Sequence, residues 1–141
     1  LSVYTDRWVP PMPERNPADR RKAVLIVLFV PSVARDGQTP VDQDTWVNAA
    51  LEMFGHTFGG ATAYPRAKGV WRDDERSGNL VKDEPVVIHC YTTPSDVQDE
   101  QKLLILGDFC RMLGRSTDQG EVGLVIGDEY LAIRDFRGEG P

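Results

Sequence analysis

Ala23-Val-Leu-Ile-Val-Leu-Phe-Val30 is the stretch on which the fold of this 141-residue chain turns. A strand with one face in water alternates apolar and polar side chains. This one does not alternate, so it reads as a strand covered on both faces. Its apolar continuation to Val33 is broken by Pro31 and Ser32. It is far shorter than the roughly 20 residues a bilayer-spanning helix needs.

After this strand the period changes. Thr39-Pro40-Val41-Asp42 carries a helix-start signal: Thr39 as the cap, Pro40 at the first helical position, Asp42 in the electropositive first turn. Trp46, Ala49, Ala50, Met53, Phe54 and Phe58 follow at helical spacing and make one apolar face. Gly59-Gly60 stops the helix, because glycine takes the left-handed cap conformation without steric cost. Ala61 to Trp71 reads as a second strand, irregular at Pro65. A charged connection, residues 73–78, leads to a third strand from Leu80 to Tyr91. The two strands pair as a long hairpin.

Thr93-Pro94-Ser95-Asp96 repeats the first helix start. A second amphipathic helix carries Val97, Leu103, Leu104, Leu106, Phe109, Met112 and Leu113 up to Gly114. Residues 121–126 form a last strand, and Tyr130 to Ile133 add a hairpin strand beyond Gly127-Asp128. The order β-α-β-β-α-β predicts an α+β domain, specifically a ferredoxin-like βαββαβ sandwich over residues 23–136, with an extra C-terminal hairpin strand. In that arrangement the first and third strands are central, and they are the two most apolar. Both helices then cover one face of the sheet.

Residues 1–22 differ in character. Pro10, Pro11, Pro13 and Pro17 exclude a regular helix or central strand there. The segment is expected to be an extended arm, anchored through Tyr4 and Trp8. It holds five cations against three carboxylates, while the whole chain carries a net charge of −6. That acidity argues against nucleic-acid binding, where phosphate contact dominates affinity. The start of the sequence has no signal-peptide pattern, so a cytoplasmic protein without membrane contact is expected.

The doubly apolar first strand carries a functional consequence. With helices on one face only, its other face needs a cover. Association of two copies through that open face, a homodimer, is the expected solution, with the arm as its rival. On the third strand, Val86, Ile88 and Cys90 share one face and Val87, His89 and Tyr91 the other. The small apolar set belongs against the helices, which places His89 and Tyr91 on the open face. A histidine titrates near neutral pH, so His89 is the candidate catalytic acid/base. Its competing role is a hydrogen-bonded residue beside an interface. Cys90 and Cys110 read as buried, unpaired thiols. They and the two histidines lack the close-pair spacing of a zinc site, so no metal is expected. The hairpin supplies Trp71 as a stacking platform and Arg72 as an anion binder. Asp73, Asp74 and Glu75 have no EF-hand spacing and read as a solvated tip. No phosphate-cradling glycine loop, nucleophile elbow or HExxH is present, and no cofactor is indicated.

Val41-Asp42-Gln-Asp-Thr-Trp46, Gly60-Ala-Thr62, Gly69-Val-Trp71-Arg72 and Glu84 together resemble an uncharacterised bacterial domain family. That family has a similar helix start and a GxT…GxW…E hairpin, and the likeness spans roughly residues 40–90. It brings no established activity. It singles out Thr62, Trp71, Arg72 and Glu84, which join Tyr91 as candidate ligand-binding residues. The sequence therefore predicts a non-catalytic dimerising or small-ligand-binding module. The alternative is a small enzyme whose pocket on the open sheet face uses His89, and an RNA-binding sheet ranks third.

Overall fold

The computed structural model describes residues 21–137, so the arm expected over residues 1–22 lies almost wholly outside the described residues. In chain order the elements are β1 (Val24–Val30), α1 (Gln43–Phe58), β2 (Thr62–Ala63), β3 (Gly69–Asp73), β4 (Asn79–Asp83), β5 (Val86–Thr92), α2 (Glu100–Ser116), β6 (Val122–Ile126) and β7 (Glu129–Ile133). One-turn 3-10 helices sit at Asp74–Arg76 and Asp96–Gln98.

The α+β class read from the sequence holds. Five strands form one sheet in the order β2-β5-β1-β6-β7, and every neighbouring pair is antiparallel. β1 pairs with β5 over its whole length, from Val24 opposite Thr92 to Val30 opposite Val86. Its other edge pairs with β6 around Val27 opposite Val125. The two most apolar strands are thus neighbours inside the sheet.

Alternation then sorts the side chains. Ile26, Leu28 and Val30 of β1 and Ile88 and Cys90 of β5 are completely buried. They form one cluster with Ala50 and Phe54 of α1 and Leu106, Cys110 and Leu113 of α2. Burying each such aliphatic side chain contributes about 1.5–3 kcal/mol. Both helices therefore cover the face predicted for them. The opposite face of β1 carries Leu25, Val27 and Phe29, of which Val27 is buried and the other two half-buried. Tyr130 of β7 leans over this face, since a Cβ at Gly123 would lie 2.7 Å from its Oη.

Both helix starts fall later than the sequence signals suggest. Asp42, rather than Thr39, caps α1, accepting from the Thr45 amide at 3.4 Å and its hydroxyl at 2.8 Å. Pro40 instead bridges to Val33, which closes the loop before the helix. Thr93 accepts from the Asp96 amide and opens the 3-10 turn. Asp99 then caps α2 by accepting from the Gln101 and Lys102 amides. In both cases an Asp three to six residues downstream offers a carboxylate to the orphan amides, and the Thr-Pro pair shapes the approach.

The long hairpin also divides. Its inner ends, β2 and β5, belong to the main sheet, whereas β3 and β4 form a separate two-stranded sheet. Pro65 and Pro85 stand at the breaks, and proline has no amide hydrogen to continue a ladder. Ser32 ties the hairpin down, donating its amide to the Asp83 carboxylate at 3.0 Å while its hydroxyl accepts from the Glu84 amide at 3.0 Å.

Gly114 of α2 lies under Phe136; a Cβ there would come within 2.2 Å of the ring. Gly114→Ala is expected to cost about 1–3 kcal/mol by displacing that ring. Adding Phe136→Ala should remove part of the penalty, read as non-additive urea midpoints; strict additivity would contradict this packing.

Burial pushes the Cys90 thiol up to about 11 and the Cys110 thiol up to about 12, from an ordinary 9.0. A raised folded-state value favours the neutral thiol. The resulting stability is complete below pH 9 and is lost as pH rises through 11–12. At pH 8 neither thiol should react with an aromatic disulfide reagent in the native protein, while both should after denaturation. A rapidly labelled native thiol would show that the core is open.

Candidate functional site

The site forms where α1 ends beside the sheet. α1 stops at Phe58 because Gly59 adopts a left-handed conformation, φ 99°, and returns its amide to the Gly55 carbonyl at 3.2 Å. The chain then turns through Gly60 and Ala61 into β2. There Thr62 lies directly opposite His89 of β5. His89 and Tyr91 stand two residues apart on β5, so both project from the face opposite the helices.

These pieces enclose a shallow, solvent-open concavity of about 320 Å³, lined by Phe58, Gly59, Gly60, Ala61, Thr62, His89 and Tyr91. Tyr64, two residues beyond Thr62, presents its ring edge-on to the His89 imidazole, with centroids 4.7 Å apart and planes at 71°. The imidazole is half-buried and has no hydrogen-bond partner among the described residues. Tyr91 is 68% exposed. Aromatic faces, a hydroxyl and an uncommitted imidazole thus converge, with bare backbone along one wall.

Of the residues picked out from the sequence, the fold brings Thr62, His89 and Tyr91 together at this concavity. Trp71 and Arg72 stand on β3, in the other sheet, and do not line it. Trp71 pairs with Val81, and Arg72 with Leu80. The Arg72 guanidinium bonds to Asp74, and that hydrogen bond raises its already high pKa. Glu84 lies between β4 and β5, and its backbone does the work: its carbonyl accepts from Gln43 Nε2 at 3.0 Å. Asp73 caps the 3-10 turn, accepting from the Glu75 amide. Among the described residues, no three His, Cys, Asp or Glu side chains gather to hold a metal ion. No helix among them is long and apolar enough to cross a membrane.

Sequence reading missed Phe58, Gly59, Gly60 and Tyr64 as site residues. The signal for Tyr64 was present, because it shares the strand face of Thr62. Gly59-Gly60 reads only as a helix stop until the sheet edge is placed beside it.

No known protein family and no curated protein matches this chain in sequence. Solved structures do match in fold. A phage SAM lyase in complex with S-methyl-5'-thioadenosine superposes with a TM-score of 0.60 at 20% identity, covering 86% of this chain and 98% of that one. A phage SAM lyase in its apo state gives a TM-score of 0.51 at 11% identity, covering 83% and 91%. At these identities the likeness establishes a shared small α+β fold, and the chemistry has to be argued from this chain's own residues.

An imidazole that holds nothing together is dispensable for folding. His89→Asn should change stability by no more than about 1 kcal/mol, the size of the lost ring contact with Tyr64. A loss of several kcal/mol in urea denaturation would assign His89 a structural role instead.

Proposed function

We propose that this chain is a ferredoxin-like domain that binds a small adenosine-bearing ligand, of the S-adenosylmethionine and S-methyl-5'-thioadenosine class, at the concavity beside β2 and β5. The observation that carries the reading is the near-complete superposition on a phage SAM lyase that holds S-methyl-5'-thioadenosine. The strand order supports the ferredoxin-like assignment, since β5 and β1 are the adjacent central strands of the βαββαβ path. Tyr91 supplies a face for a purine ring and Thr62 a hydroxyl for its sugar, and Tyr64 packs against the His89 ring beside them. The net charge of −6 suits a cationic small molecule better than a polyanion. Pairing of two copies through the half-buried Leu25 and Phe29 stays part of the reading, and light scattering tests it.

The uncommitted His89 favours a second reading, in which the bound ligand is also cleaved. Cleavage of S-adenosylmethionine breaks the bond from sulfur to the four-carbon chain. The electron pair stays on sulfur and leaves a neutral thioether. As that bond breaks, the four-carbon fragment either loses a proton from the adjacent carbon to His89, its C–H pair forming a C=C bond, or is closed by its own carboxylate oxygen bonding to the carbon that sulfur leaves. An unsaturated amino acid as second product engages His89, and a lactone does not.

Calorimetric titration with S-methyl-5'-thioadenosine tests binding, and mass spectrometry of a S-adenosylmethionine incubation tests cleavage. Micromolar to sub-millimolar affinity, weakened at least tenfold by Tyr91→Ala, is expected. No heat at millimolar ligand would end the binding reading. A His89→Asn variant with undiminished turnover would remove His89 from the chemistry.

A further inference from the structure

We infer that the concavity is electronegative at its α1 end and selects a positively charged sulfonium over the neutral thioether of the same ligand. The inference rests on the ligand class proposed above and specifies which charge state of it the site prefers.

Three features of one wall point the same way. The 16-residue α1 ends there, and a helix presents about half a negative charge at its C-terminus. Its last carbonyls are also uncommitted. The cap consumes the Gly55 carbonyl alone, and among the described residues no amide or side chain donates to the carbonyls of His56, Thr57 or Phe58, of which Phe58 lines the concavity. Helix ends ordinarily leave such carbonyls to a cap, to water or to a ligand. Finally, this backbone can be reached. A Cβ placed on Gly59 or Gly60 would meet nothing within 4 Å, so the cap glycines leave open space.

The remaining wall reinforces the preference. The largely exposed Tyr91 offers aromatic surface, which attracts a cation through the ring quadrupole, while Phe58 backs the wall from the core. No Lys or Arg lines the concavity, so no fixed positive charge on the wall repels a positive centre. A neutral thioether gains from the aromatic surface by burial alone, whereas a sulfonium gains from the carbonyls and the ring faces as well. The two effects together favour the cation on the order of tenfold.

For cleavage the same wall has a cost and a use. It stabilises the charged ground state, and it loses its hold on the product once sulfur keeps the electron pair. Weak retention of the thioether then speeds its release.

The test compares S-methyl-5'-thioadenosine with its S-methylated sulfonium, which adds one methyl and one charge and lacks the four-carbon chain that cleavage requires. Both are titrated calorimetrically into the full chain. The sulfonium should bind about tenfold tighter, and Tyr91→Leu, at an exposed position, should narrow that gap. Gly60→Leu should abolish both affinities by filling the open space; its φ is not in the left-handed region, so the backbone is not strained. Equal affinities, or a tighter thioether, would overturn the charge preference while leaving the ligand class standing. Silence from both ligands would remove the ligand class itself. Undiminished binding by a folded Gly60→Leu would place the ligand elsewhere and end the inference.

Discussion

Everything in this domain is referred to β1. It is hydrogen-bonded on both edges, to β5 along seven residues and to β6 on the other side. One of its faces is sealed by both helices, with Ile26, Leu28 and Val30 at zero exposure. A strand so placed cannot slip by one residue, because the slip would carry that whole apolar set to the opposite face. The register of β1 fixes the register of β5, and that register decides that His89 and Tyr91 face away from the helices. The candidate site inherits its geometry from packing on the far side of the sheet.

The second constraint is local and comes from two prolines. Pro65 and Pro85 interrupt what would be a continuous hairpin, and the outer part turns off as β3 and β4. The consequence for function is a separation. Thr62 and His89 remain with the main sheet, and Trp71 and Arg72 leave it. The hairpin is nevertheless held, since Ser32 bonds to both Asp83 and Glu84 and a Cβ at Gly37 would lie 3.0 Å from Val81. Its outer surface carries Val70 and Leu80, which are 60% and 70% exposed.

The chemistry of the concavity depends on few side chains. It has the ring and hydroxyl of Tyr91, the hydroxyl of Thr62, one imidazole and the backbone of Gly59 and Gly60. On the proposed reading, such a site suits a ligand that is already activated, as a sulfonium is, because its leaving group needs no proton to depart. The phage SAM lyases share the fold at 20% and 11% identity, which gives a reason to ask this question of the present chain. The answer lies in residues that the sequence comparison does not align to any family.

The sequence by itself determined the α+β class, the central place of Ala23–Val30 and of the strand around Ile88, and the face on which His89 and Tyr91 lie. These follow from the periods of 2 and 3.6 residues, which are properties of the local backbone. Helix starts were legible only approximately, because a carboxylate a few residues downstream competes for the same orphan amides. Tertiary structure alone decided which candidates meet. Thr62 reaches His89 through a strand pairing, and Phe58 with Gly59 and Gly60 reach it because α1 packs against the sheet and ends at its edge. Trp71, Arg72 and Glu84 were set apart by a break whose prolines are visible in the sequence but whose direction is not. The open face of the sheet thus has its concavity at one edge, where α1 runs out beside Thr62, His89 and Tyr91.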